Sequence, residues 1–327
     1  MVTKSAKVHS GLLYFRRLSS SRLHVRFSST CTGLPTTFPI EESSKVLKHL
    51  AFVKPLPFLK GSQIQESFVR AQLDMKNLKS KIDQKLREVY SANTGATINQ
   101  HEEFILKNIL DMKPHPIVLT FEFEPTYTGG KRSKKALSPE DISRFENFIP
   151  KTQVNNPPPK FVQAERGGQI TFHGPGQVVA YLIMDLKSFN QFPAKCLVSA
   201  IEDSTISALK NVPQNSDGST LELKACKAQE TGVWIDDSLK IASIGVHVRR
   251  SITSHGVCIN VCPDLSYLNN FVMCGLPDSR ATSIQEQIPQ ASCTTRDVSI
   301  TFVNELAKKL GIETVERVEL EDIDIDE

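Results

Sequence analysis

Apolar positions recur along this chain with two different periods. Between residues 63 and 90, Ile64, Phe68, Ala71, Leu73 and Leu78 return near helical spacing, which predicts a long helix. Residues 116–124 alternate apolar and polar late in the run and predict a strand. The unbroken apolar run from Val178 to Met184 opens a second, buried strand over 178–186. Residues 194–209 predict a helix with Leu197, Ile201 and Leu209 inward. Residues 232–236, 240–248 and 252–261 predict three consecutive strands, and 296–310 a last helix. Between the first two strands, residues 129–160 are loop-like, with a short helix at 139–148. Strands and helices alternate, yet several strands lie close enough for hairpins. The pattern therefore predicts an α/β fold, a mixed sheet flanked by helices.

Composition adds limits. The chain has 327 residues, 39% of them hydrophobic, enough for one large domain or two small ones. No apolar run reaches the roughly 18–20 residues that span a bilayer. The first forty residues differ from the rest. Lys4, Lys7, Arg16, Arg17, Arg22 and Arg26 are basic, serines cluster, and the first acid is Glu41. With Leu12, Leu13, Tyr14, Phe15 and Leu18 as an apolar side, residues 1–27 read as a mitochondrial presequence, cut after Phe27 in Arg26-Phe27-Ser28. The alternative is a disordered basic tail. The net charge is +3, and six positive charges precede residue 28, so the chain without them stands at −3. The basic pI is then poor support for nucleic-acid binding. Residues 28–60 read as a linker, and 313–327 as a solvated acidic tail.

Seven scattered cysteines form no Cys-x-x-Cys pair, which argues against a disulfide scaffold. His255, Cys258 and Cys262 lack a fourth ligand at zinc spacing, so no metal is expected. The densest chemistry lies in Arg166-Gly167-Gly168-Gln169-Ile170-Thr171-Phe172-His173-Gly174-Pro175-Gly176-Gln177. Its glycines let a ligand approach the backbone, and its interleaved polar residues exceed what a turn requires. No lysine follows the last glycine as in a phosphate loop, and the dinucleotide spacing is missing. Further on, Lys240 begins the strand Lys240-Ile241-Ala242-Ser243-Ile244-Gly245, and Cys274-Gly275 forms a turn. Taken singly, that lysine reads as solvated and that cysteine as structural.

Together these segments resemble the lipoyl(octanoyl) transferases. The family carries Arg-Gly-Gly-x-x-Thr-aromatic-His-x-Pro-Gly-Gln, a Lys-Ile/Val-Ala/Cys-x-x-Gly strand, a His-Gly-x-x-x-Asn segment matched by His255 to Asn260, and a Cys-Gly turn, in this order. The resemblance runs from about Ile64 to Leu310 and implies a catalytic domain over 61–312, of the kind shared with biotin and lipoate ligases, with 129–160 as an inserted loop. It implies octanoyl transfer from acyl carrier protein through a Cys274 thioester to a lysine of lipoyl domains, in 2-oxoacid dehydrogenase E2 subunits and the glycine cleavage H protein. No cofactor is needed, and the matrix of the mitochondrion is the expected site. Lys240 is expected to favour the Cys274 thiolate. Arg166, Gly167, Gly168, Gln169, Ile170, Thr171, Phe172 and His173 are expected to line the acyl site. Backbone amides of Ser243, Ile244 and Gly245 and of Gly256, Val257 and Cys258 are expected at the acyl carbonyl. Two alternatives stay open: an ATP-dependent lipoate–protein ligase, and a scaffold that only binds lipoyl domains. Finally, His247 and Arg249 should face outward with Arg250, as a docking patch or as a charged strand edge.

Overall fold

The computed structural model describes residues 37–91, 98–134, 136–152, 155–214, 218–272 and 276–321. After a 3-10 turn at Glu42–Lys45 come β1 (Val46–Phe52), α1 (Phe58–Ser91), α2 (Gln100–Asp111), β2 (Ile117–Phe121), β3 (Thr126–Gly129), α3 (Pro139–Glu146), β4 (Lys160–Gln163), β5 (Ile170–His173) and β6 (Gln177–Ile183). Then follow α4 (Ala194–Asn211), β7 (Val233–Trp234), β8 (Leu239–Arg249), β9 (Ile252–Asn260), α5 (Leu265–Leu268), β10 (Arg280–Ala281), α6 (Ile284–Gln287), α7 (Thr295–Lys309) and β11 (Thr314–Leu320).

The main sheet runs β10-β8-β9-β6-β2-β1-β11, with β7 on β8; a small sheet runs β4-β3-β5. Its β11–β1–β2 side is parallel, while β2–β6–β9–β8 is antiparallel. The fold is therefore the mixed sheet flanked by helices that the pattern predicts. Alternation along β6 divides the interior. Val178, Ala180, Leu182 and Met184 enter the core with Leu197 and Ile201 of α4 and Phe302 and Leu306 of α7. Val179, Tyr181 and Ile183 enter the opposite core with Ile64 and Val69 of α1 and with Phe121 and Phe123. A strand buried on both faces reads as a continuous apolar run, which is why β6 was legible.

The expected linker 28–60 contains β1, an inner strand with Leu47 and Ala51 buried. The expected acidic tail 313–327 contains β11. Its glutamates Glu316 and Glu319 are exposed beside charged partners, so an edge strand protected by charge has the composition of a tail. Helix α1 begins at Phe58 rather than 63, and α2 was unforeseen, although Asn99 and Glu102 form a reciprocal capping box at its start. Inside the loop-like stretch 129–160 the short helix expected at 139–148 is α3, and the stretch ends where β4 begins. No helix among the described residues is long and apolar enough to cross a membrane.

Candidate active site

A cavity lies between the glycine-rich segment and the inner strands β6, β8 and β9. Arg166, Gly168, Gln169, Ile170, Thr171 and His173 line it from one side. Lys240, Ser243, Ile244 and Gly245 of β8 and Gly256, Val257 and Cys258 of β9 line it from the other. Two expected residues stand apart. Gly167 is tied by its N–H to the Val246 carbonyl at 3.3 Å. Phe172 lies on the far face of β5, stacked on Tyr267 with centroids 4.3 Å apart, in an aromatic cluster with Tyr127 and Phe145. Alternation explains this: once Thr171 and His173 face the cavity, Phe172 faces away. Cys274 lies outside the described residues. The chain beyond it returns beside Lys240, because β10 pairs Ala281 with Lys240 and the Thr282 N–H donates to the Lys240 carbonyl at 2.9 Å.

Arg166 organises the glycine-rich segment from within. It is 8% exposed, and its Nη1 donates to the Gly167 and Gln169 carbonyls at 3.0 and 2.9 Å. The next turn is laced onto the same segment by Gly130 N–H to Gln169 O, Lys131 N–H to Arg166 O and Arg132 N–H to Gly168 O. Burial pushes the guanidinium pKa down to about 10, so it remains a cation at neutral pH. That charge shapes its neighbours. Burial, with Arg166 adding, holds His173 well below the usual imidazole range and His255 down at about 3. Both rings are neutral at pH 7. Burial pushes the Cys258 thiol far above the usual range, against the pull of Arg166. Cys258 therefore faces the cavity as an inert thiol.

Lys240 is 3% exposed. Its Nζ donates to the Thr231 carbonyl at 2.9 Å and sits 4.9 Å from the Trp234 ring centroid. The solvated lysine expected from sequence alone is thus a buried cation in the cavity wall.

Five of the six amides expected at the acyl carbonyl are engaged in sheet pairing. Strand β9 is paired on both sides, to β8 and to β6, so Gly256, Val257 and Cys258 spend their N–H groups within the sheet. On β8 the phase is set by Val246, whose carbonyl faces outward to Gly167. Counting by twos, Ser243 and Gly245 point their N–H groups at β9, and Ile244 points away from it. Of these six amides, that of Ile244 alone points out of both the β8–β9 and the β9–β6 ladders.

Residues that sequence reasoning missed also line the cavity: Val179 and Tyr181 of β6, with Arg132, Glu230 and Thr231. The two on β6 were accessible, since period-two alternation places them on one face with Gln177. Behind them, Gln177 accepts from Gly174 N–H at 2.8 Å and donates to Asn260 Oδ1 at 2.8 Å, and Asn260 donates to the Thr282 carbonyl at 2.8 Å. This chain of amides joins the glycine-rich segment to the strand returning from Cys274. The outward arginines have partners on α1: Arg249 forks onto Glu66 at 3.1 and 2.6 Å, and Arg250 donates to Asn77. Among the described residues no three His, Cys, Asp or Glu side chains form a group fit to hold a metal ion.

Residues 96–309 match the family model described as "Lipoyl protein ligase A/B catalytic domain". A mitochondrial octanoyltransferase of Kluyveromyces lactis is 58% identical over 306 residues, covering 92% of each chain. One of Saccharomyces cerevisiae is 55% identical over 303 residues, covering 91% of this chain and 92% of the relative. Among solved structures, a P. falciparum protein in complex with lipoate aligns at TM-score 0.47 and 14% identity, covering 83% of this chain and 66% of that one.

Proposed function

The chain belongs to the lipoyl protein ligase A/B catalytic-domain family, among its mitochondrial octanoyltransferases, and from that membership we propose that it works through a thioester on Cys274. The enzyme is an acyltransferase of lipoate biosynthesis in the mitochondrion. In the proposed first step the Cys274 thiolate attacks the octanoyl thioester of acyl carrier protein. The acyl C–S bond to the carrier breaks, the carrier leaves as its thiolate and takes a proton from water, and octanoyl-Cys274 forms. In the second step a lysine amine of a lipoyl domain attacks that thioester. An amide forms, and Cys274 is released as the thiol. Exchange between thioesters is nearly neutral and amide formation is downhill, so neither step needs ATP.

The observation that carries this reading is the Lys240 ammonium, buried in the cavity wall with the chain returning from Cys274 hydrogen-bonded to its backbone. A cation there favours thiolate over thiol. Arg166 supplies a second fixed positive charge, and the Ile244 N–H is the donor assigned to the acyl carbonyl oxygen. His173, neutral and buried, serves as a hydrogen-bonding group. The acyl chain is assigned to the cavity between the glycine-rich segment and Val179, Tyr181 and Val257. Residues 1–27 are assigned to import and 28–36 to the linker after it. The acceptors assigned are lipoyl domains of 2-oxoacid dehydrogenase E2 subunits and the glycine cleavage H protein.

Transfer assays with octanoyl-acyl carrier protein and a lipoyl domain test the reading. Octanoylation of the domain without nucleotide, lost in Cys274→Ser, supports it. Transfer of free octanoate or lipoate that depends on ATP and releases pyrophosphate would overturn it.

A further inference from the structure

The segment Glu230 to Trp234 lies against the Lys240 side chain. Thr231 gives a backbone carbonyl at 2.9 Å, and Trp234 gives a ring face 4.9 Å away, within cation–π range. Between them stands Gly232, at φ +135. A Cβ there would lie 2.5 Å from Lys240 Cε, 3.0 Å from its Nζ and 2.7 Å from the Ala242 carbonyl oxygen. The space a side chain would fill is already taken by the lysine stem. The tryptophan is itself anchored. It is fully buried, and its indole N–H donates to the Glu230 carbonyl at 3.0 Å. Its backbone pairs with Lys240 across β7 and β8. The Gly232 N–H donates to Glu202 of α4 at 3.2 Å, which fixes the turn against the body of the fold.

We propose that Gly232 and Trp234 are positioning residues that hold the Lys240 side chain in one rotamer, with its ammonium aimed into the cavity. The inference rests on the role given to Lys240 above and adds how that role is kept. A lysine carries four rotatable bonds, and each must be fixed if its charge is to act on one thiol. The aromatic face attracts the ammonium without neutralising it, as a carboxylate partner would. The Thr231 carbonyl takes one N–H and fixes the direction of the stem. Gly232 leaves room for the stem to pass. Neither residue touches the acyl group in this scheme. They act through Lys240.

The test measures alkylation of Cys274 against pH by peptide-resolved mass spectrometry, for the wild type, Lys240→Met, Gly232→Ala, Trp234→Leu and Trp234→Phe. Thermal melts identify folded variants. In parallel, 13C-lysine labelling follows the Lys240 Hε protons, which a ring 4.9 Å from the nitrogen should shift upfield. Lys240→Met should slow alkylation at pH 7 by roughly tenfold or more, with recovery at high pH. Gly232→Ala should reproduce most of that loss and abolish the upfield shift although Trp234 is intact. Trp234→Leu should behave like Gly232→Ala, and Trp234→Phe should restore the wild-type profile. A shifted profile in Lys240→Met with wild-type profiles in Gly232→Ala and folded Trp234→Leu would overturn the positioning role alone. An unshifted profile in Lys240→Met would overturn the role of Lys240 and the positioning role with it.

Discussion

The buried guanidinium of Arg166 is held by Thr128, whose carbonyl and hydroxyl oxygens both accept from the same terminal nitrogen at 2.7 Å. Thr128 lies on β3, which pairs with β5 in the small sheet, so this pair fastens the start of the glycine-rich segment to the strand that its end already pairs with. No carboxylate pairs with Arg166 among the described residues, and its Nε has no partner. The charge is therefore left to act on the cavity. Replacing Arg166 with Met would remove four hydrogen bonds and that charge. We expect a loss of about 2–4 kcal/mol in stability, read by urea unfolding, and transfer reduced at least tenfold. Arg166→Lys keeps the charge and loses the fork, so it should recover only part of each.

Phe172 offers a clean separation of packing from substrate binding. It sits inside the glycine-rich motif yet is 1% exposed, on the face of β5 turned to Tyr267. Phe172→Leu should lower stability by about 1–2 kcal/mol through lost stacking and volume. The preference for octanoyl over hexanoyl or decanoyl donors should be unchanged. A changed chain-length preference would mean that Phe172 touches the acyl chain.

The difference between Phe172 and His173 marks the limit of what was legible. The motif located the segment, and motif plus order located Lys240. Which motif residues face the cavity depends on where β5 begins its alternation, and the glycines obscured that strand. The buried strands β6, β8 and β9 were readable because apolar runs survive without their context. Strands β1 and β11 were not. One follows a presequence-like tail, and the other wears an edge strand's charges. The cation of Lys240 also read as solvent-exposed, since its burial depends on Thr231 and Trp234, brought across by strand pairing.

Three buried histidines make stability depend on pH above the carboxylate range. His49 is held down at about 4 by burial and by Arg317, His255 at about 3, and His173 lower than the ordinary range. Above about pH 6.5 these imidazoles are neutral in both folded and unfolded chains. Below it the unfolded chain takes up protons that the folded chain refuses, so stability falls as pH drops from about 6.5 towards 4. Each contributes up to about 1.4 kcal/mol per pH unit. His49→Gln, which keeps a partner for the Thr120 hydroxyl, should flatten the slope between pH 5 and 6.5 by about one proton. Urea unfolding at several pH values measures it, and an unchanged slope would show that His49 titrates normally.

The N-terminal segment should be separable from catalysis. Deleting residues 2–27 should leave octanoyl transfer in vitro intact and strand the protein in the cytosol. Fractionation of cells expressing each form reads the result. Import of the truncated chain would place the signal elsewhere.

The covalent intermediate on Cys274 is the most direct point of test. The enzyme is mixed with octanoyl-acyl carrier protein in the absence of acceptor, quenched in acid, digested, and mapped by mass spectrometry. One octanoyl group on the peptide containing Cys274, removed by hydroxylamine and discharged when a lipoyl domain is added, is the predicted result. No adduct at Cys274 during active transfer, or an adduct on another side chain that discharges at the turnover rate, would contradict it.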